Sequence, residues 1–346
     1  MHALDIDLRS DTITVPTKEM LEYMFSAKVG DDVWEEDETV KSLESEIAAL
    51  FSQEAALFCP SGTMSNQIAI RAHTRMGDEV ICDQLSHIYN YEGGGLASNS
   101  GVSAKLVQGD FGRMSVDHIK SNINPDDPHF SRTRLVCLEN TVNKGGGVCY
   151  SYENMKNISN FCRDHNLMFH LDGARIFNAL VAKSDSSFDY GKLFDSISIC
   201  LSKGLGAPIG SLLLGSSNFI AESKRIRKSF GGGMRQVGYL AAAGKYALQH
   251  HVNRLEEDHL RAQKIGSILR TLHCVENLRP VETNIVLFDF KPNNTSLKSI
   301  KHFHEVLINN NIKASFMGSS TVRFVTHLGF CDDKLDVLLK VLKSLD

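Results

Sequence analysis

The sequence predicts an α/β fold: a large domain built on a mostly parallel seven-stranded sheet, followed by a small C-terminal α+β domain. Three observations carry this. Between about residues 55 and 215, the apolar runs AALFCP, EVICD, AKLVQ, RLVCLE, LMFHLD, SISICLS and SLLLG alternate with helix-length segments, the pattern of strands joined by helical crossovers. Several of these runs are apolar throughout, as strands are when helices cover both faces of a sheet. From about residue 250 the pattern changes to two strand-like stretches, each followed by an amphipathic helix.

In chain order, TVKSLESEIAALF places Val40, Leu43, Ile47, Leu50 and Phe51 on one helical face ahead of the first strand. The seven strands follow, and residues doing chemistry are expected just beyond their carboxyl ends, where loops converge on a crevice. The segment YLAAAGKYALQHHVNRLEEDHLRAQKIGSILRTL reads as one long helical stretch connecting the two domains. Beyond it, NIVLFDF and TVRFVTH read as strands, with SLKSIKHFHEVLINNN and DKLDVLLKVLKSL as helices. The boundaries expected are 26–249 for the large domain and 250–346 for the small one.

Composition narrows the function. The chain has 346 residues, 42% apolar and 23% charged, and its 37 basic against 41 acidic residues give a net charge of −4. No basic surplus points to nucleic acid or an anionic membrane, so small molecules and other proteins are the expected partners. MHALDIDLRSD carries acids where a secretory leader is basic, and no run of about twenty apolar residues occurs; a soluble, cytoplasmic protein is expected. The cysteines at 59, 82, 137, 149, 162, 200, 274 and 331 form no C-x-x-C pair, which predicts buried free thiols and no metal site.

The most informative stretch is SISICLSKGLGAPIGS, where an apolar strand runs into Lys203 and then into glycines. An aldehyde cofactor needs such an amine, with room around it and a flexible stem. A dinucleotide fingerprint fails here: the third glycine would fall at Ile209, and Pro208 lacks the amide a phosphate needs. In LMFHLDGAR, Asp172 ends a strand, and a carboxylate at that depth needs a cation. A protonated pyridine nitrogen would serve, and so would an ion pair with Arg175. In FCPSGTMSN, Ser61, Gly62 and Thr63 lie between a strand and a helix, a place for phosphate or for a plain helix cap. DQLSHIYNYE adds His87, flat enough to stack on a cofactor ring, with Tyr91 and Glu92 beside it.

Taken in order, these words resemble the low-specificity L-threonine aldolases among the fold-type-I pyridoxal-phosphate enzymes. The resemblance runs from DLRSDTITVPTKEM and VGDDVWEEDETV through EAALFCPSGTMSNQ, SHIYNYE, HFSRTRLVCLENT and HLDGARIFNA to CLSKGLGAPIGS, GGGMRQVG, TNIVLF and RFVTH. It implies pyridoxal 5′-phosphate bonded to Lys203, with Asp172 on the ring nitrogen, His87 stacked on the ring, and Gly62 and Thr63 at the phosphate. It further implies that Arg175, Arg323 and Ser10, the last from an N-terminal segment spanning 1–25, clamp the substrate carboxylate, with Tyr91 and Trp34 at the substrate. Arg235 is expected to reach the phosphate of a neighbouring subunit, in a homodimer or homotetramer with sites at the interface. The family usually has Tyr where Trp34 stands, and His where this chain has Val142 after Asn-Thr. That leaves His87 and His129 as candidates for the hydroxyl proton.

The activity implied is cleavage of threonine, allo-threonine and related β-hydroxy-α-amino acids to glycine and an aldehyde. A β-eliminating or β-replacing lyase would share the lysine, aspartate and phosphate loop, and a catalytically silent scaffold could keep the fold.

Overall fold

The computed structural model describes residues 5–292, 297 and 299–345. Its main sheet has seven strands in the order Ala55–Cys59, Ser211–Gly215, Ser196–Cys200, Met168–Gly173, Thr133–Glu139, Glu79–Asp83, Ser103–Val107. All neighbours are parallel except at Ser211–Gly215, which runs antiparallel to the strands on both sides. The reason is the link before it: residues 201–210 contain no helix, and a short connection can only return the chain antiparallel, whereas a parallel neighbour needs a crossover of a dozen residues or more. That link carries Lys203.

The expected strands are all present. The Glu38–Leu50 helix buries Val40, Leu43 and Ile47, and Phe51 closes the same face. Leu50 departs from expectation and lies exposed, off the stripe that the other four define. The Asp37 carboxylate accepts the Val40 amide at 3.1 Å and starts this helix, a capping arrangement worth about 1 kcal/mol. Seven cysteines are buried and in no disulfide, and Cys331 is exposed.

The long helical connector is two helices, Gly238–His250 and Leu255–Leu269. The break is local: His251 Nδ1 turns to bond the Leu205 carbonyl at 2.7 Å, tying the interruption to the loop after Lys203. The second helix gives Leu255 to the core of the large sheet and Ala262, Ile265 and Leu269 to a separate core. That second core lies under a four-stranded antiparallel sheet that includes Ile285–Phe290 and Thr321–Val325. Ile6–Asp7 pairs in parallel with Ile312–Lys313, which seats Ile6 and Leu8 in this C-terminal core. The N-terminal segment thus starts on the small unit and returns to the large one, where Thr14 Oγ1 donates to the Lys203 carbonyl at 2.9 Å.

Candidate active site

Asp172 and Lys203 follow from neighbouring parallel strands, Met168–Gly173 and Ser196–Cys200, at their carboxyl ends. Lys203 is partly buried, and its ammonium makes no hydrogen bond among the described residues. The turn behind it closes by the Gly206 amide bonding the Lys203 carbonyl at 2.9 Å, with Gly206 at φ +79, a conformation suited to glycine.

Asp172 is 2% exposed. Its carboxylate accepts Asn66 Nδ2 at 3.0 Å and the Ala174 amide at 3.1 Å. The ion pair with Arg175 that the sequence allowed is not made. Arg175 turns the other way and holds Asp11, with Nε and Nη2 each 2.7 Å from a carboxylate oxygen. Burial works against charge on Asp11, and the Arg175 guanidinium, with Lys203 and Asn284, more than offsets it, holding the carboxyl far below its ordinary range. Asp172 therefore faces the crevice with no Lys or Arg salt bridge among the described residues. A buried carboxylate in that position calls for a cation from outside the chain.

His87 lies beside it. Its backbone amide donates to Glu139 Oε2 at 2.7 Å and its Nδ1 lies 3.0 Å from Glu92 Oε1. One donor atom each from His87, Glu92 and Asp172 lies within 4.8 Å of the others. Burial pulls the imidazole pKa down, but the Glu92 hydrogen bond and the charges of Asp172 and Glu139 carry it above the ordinary value. Glu139, buried and beside Asp172, is pushed up to about 7. The exposed Tyr91 ring lies tilted against His87, centroids 5.5 Å apart.

Gly62 and Thr63 open the twelve-residue Gly62–His73 helix, whose Ser61 hydroxyl accepts the Met64 amide at 3.1 Å. The Gly62 and Thr63 amides are left at the helix start, where backbone N–H groups and the helix dipole favour an anion. A Cβ on Gly62 would come 2.5 Å from Cys200 Sγ, so glycine lets this helix start abut the strand that leads to Lys203.

At the mouth, Arg323 Nη1 donates to Asn143 Oδ1 at 2.9 Å and Nη2 to the Arg9 carbonyl at 3.1 Å, while its buried Nε has no partner. Burial and the nearby Arg175 charge lower its pKa. Ser10 caps the turn at Asp11–Ile13, accepting the Thr12 amide at 3.2 Å and the Thr12 hydroxyl at 2.8 Å. Arg175, Arg323 and Lys203 thus lie within electrostatic reach of Asp11.

Three expected residues are not brought to this cluster within the chain. His129 is 88% exposed by side chain and bonds Asp127 at 2.7 Å. It precedes the Thr133–Glu139 strand, so about 20 Å of strand separates it from the end that carries Glu139, and the fold of the single chain does not bring it to this cluster. Trp34 is 74% exposed on the Asp32–Trp34 turn. Arg235 is 54% exposed by side chain and pairs with Asp31 at 2.9 Å. Asp11, Asn66 and Glu139 were missed by sequence reasoning; each lies inside a quoted word, DLRSD, TMSNQ or CLENT, but none carries a local signal of its partner.

A buried acid at one strand end, a lysine on the next loop with no hydrogen bond among the described residues, and an anion-ready helix start are the parts expected of an α/β enzyme that holds an aldehyde cofactor. A family model described as beta-eliminating lyase matches residues 7–292. The chain is 42% identical over 332 residues to a low specificity L-threonine aldolase of Escherichia coli O157:H7, covering 95% of this chain and 96% of that one. It is 41% identical to low-specificity L-threonine aldolase 1 of Arabidopsis thaliana, covering 93% and 91%. Among solved structures, the threonine aldolase of Leishmania major superposes with a TM-score of 0.85 at 20% identity, covering 98% and 99%, which shows the same fold. The chain belongs to the beta-eliminating lyase family, a family of pyridoxal-phosphate enzymes, and within it to the low-specificity L-threonine aldolases.

Proposed function

We propose that this chain is a pyridoxal-5′-phosphate-dependent carbon–carbon lyase that cleaves threonine, allo-threonine and related β-hydroxy-α-amino acids to glycine and an aldehyde. The observation that carries the reading is the buried Asp172 carboxylate, unpaired by Arg175 and on the strand next to the one that leads to Lys203, whose ammonium makes no hydrogen bond among the described residues. These residues fit the group: a pyridinium nitrogen would supply the cation Asp172 lacks, Lys203 an amine for the aldehyde, and Gly62 and Thr63 amides for the phosphate. When bound, pyridoxal phosphate supplies the electron sink that weakens bonds at the substrate Cα.

The chain's own residues do the rest. Arg323, with the remaining nitrogen of Arg175 and the Ser10 hydroxyl, binds the substrate carboxylate, a planar acceptor suited to guanidinium. Holding that carboxylate orients the amino acid and so selects the Cα–Cβ bond for cleavage. His87, with Nδ1 turned to Glu92, keeps Nε2 for the site and takes the β-hydroxyl proton directly or through one water. Tyr91, exposed beside His87, lies where the aldehyde-forming end would leave. His129, Trp34 and Arg235 reach a site only if a second subunit brings one against them.

Two measurements test this. Incubation with threonine should yield glycine and acetaldehyde; 2-oxobutyrate with ammonia would instead establish an eliminating lyase on the same scaffold. Borohydride reduction of the yellow protein followed by peptide mapping should place the pyridoxyl label on Lys203, and a label on any other lysine overturns the assignment.

A further inference from the structure

The carboxylate of Glu92 is enclosed, with a side chain 0% exposed, and both its oxygens are occupied. Oε1 accepts Asn66 Nδ2 at 2.9 Å and faces His87 Nδ1 at 3.0 Å, and Oε2 accepts Gln67 Nε2 at 2.6 Å. Both amides come from the Gly62–His73 helix, so the element that begins at the phosphate residues also anchors the acid against the imidazole.

The orientation of Asn66 follows from hydrogen-bond logic. Its Nδ2 lies between two acceptors, Glu92 Oε1 and Asp172 Oδ2, so Oδ1 must face His170 Nε2, 3.2 Å away, and His170 must donate there. Burial holds His170 neutral, its pKa down to about 4, so its Nδ1 accepts from the Ser196 hydroxyl at 2.8 Å. Ser196 Oγ in turn accepts from His73 Nε2 at 2.7 Å, and His73 is also neutral, down to about 3. Every donor in this buried chain points toward Asp172 and Glu92. With its oxygens fixed in this way, Glu92 presents an acceptor to Nδ1 of His87 and to no other atom of that ring.

Resting on the function proposed above, we propose that Glu92 is a positioning residue that fixes the ring orientation and the proton location of His87. A carboxylate accepts and does not donate, so His87 carries a proton on Nδ1 and, when neutral, a bare Nε2 toward the site. A free imidazole favours the opposite tautomer. The charged groups facing His87 are Glu92 from its own turn, Asp172 from the Met168–Gly173 strand and Glu139 from the Thr133–Glu139 strand, with Tyr91 as its neighbouring phenol. All three acids favour the imidazolium, and Glu92 alone bonds it.

The test is nitrogen-15 NMR of histidine-labelled full-length protein, with the His87 signals assigned by loss in His87→Asn. In the wild type, neutral His87 is expected to be protonated at Nδ1. In Glu92→Gln, which keeps an acceptor and loses the charge, the midpoint should fall by about one pH unit or more, while Glu92→Asp, which keeps the charge, restores part of the shift. An unchanged His170 tautomer in Glu92→Gln verifies that the buried chain is intact. A wild-type His87 protonated at Nε2, or a midpoint in Glu92→Gln equal to wild type, overturns the proposal, and the first needs no change at Glu92. Threonine cleavage is read separately. A protein that fails to cleave threonine but shows the Nδ1 tautomer and the Glu92-dependent midpoint refutes the activity and leaves the positioning role standing.

Discussion

At the scale of single residues, Asp172 stands out because its two hydrogen bonds end on different oxygens, Asn66 Nδ2 on Oδ2 and the Ala174 amide on Oδ1, so an asparagine of nearly the same shape keeps one of them. Asp172→Asn should therefore fold and bind cofactor while losing on the order of a hundredfold or more in kcat, the scale on which an aligned electrostatic partner contributes. Wild-type turnover in a cofactor-loaded variant would make Asp172 structural. Asp11 supports the site differently, by neutralising the buried Arg175. Removing one partner of such a pair costs roughly 3–5 kcal/mol, so Asp11→Ala should lower the urea midpoint and, through a loosened N-terminal segment, raise KM for the amino acid. Because the folded-state pKa of Asp11 is depressed, its contribution is present above the unfolded value of about 4 and is lost as pH falls below it; Asp11→Ala should lack that acid-dependent part of the loss. Lys203, Asp172, Gly62 and His87 could be singled out as candidates because each follows or ends a strand or opens a helix, where the sequence pattern changes. The Asp11–Arg175 pair spans 164 positions, and no local pattern announces a partner at that distance.

At the scale of elements, the Glu38–Leu50 helix does more than fill the core. Its Glu44 carboxylate accepts the Phe58 amide at 2.7 Å, while Arg227 donates to the Phe58 carbonyl at 2.6 Å and to Asp32 at 2.9 Å. Phe58 is thus held at both backbone groups three residues before the turn at Ser61. Burial pushes Glu44 up to about 7, so the folded state keeps a proton that the unfolded chain releases near pH 4.5, and stability declines as pH rises through that window. Glu44→Gln keeps an acceptor for Phe58 without the charge. It should match wild type at pH 4 and exceed it by about 1–2 kcal/mol at pH 8 in urea unfolding; equal stability at both values would show that Glu44 carries no buried charge. Strands and amphipathic helices were readable here because periodicity is local. The break between the Gly238–His250 and Leu255–Leu269 helices was not, because no proline or glycine marks it: His251 reaches across to the Leu205 carbonyl, a tertiary contact overriding a helical pattern.

At the scale of the whole molecule, one chain assembles Lys203, Asp172, His87, Arg175 and Arg323 around a crevice but leaves Trp34 and Arg235 on open surface. Val15 and Phe25 of the N-terminal segment are exposed as well. If Arg235 completes the phosphate site of a neighbouring chain, each site takes Lys203 from one subunit and Arg235 from the other. Two inactive single variants then complement in a two-fold dimer. Mixed Lys203→Ala and Arg235→Ala subunits would form dimers in which one site carries both lesions and the other carries neither. Random reassembly makes about half the dimers mixed, each with one intact site of two, so roughly a quarter of wild-type activity should return. The experiment needs Arg235→Ala to be nearly inactive yet dimeric by itself. Given that, absence of recovery after verified subunit exchange would return Arg235 to its own chain's site, where its pairing with Asp31 would have to open before it could reach a phosphate.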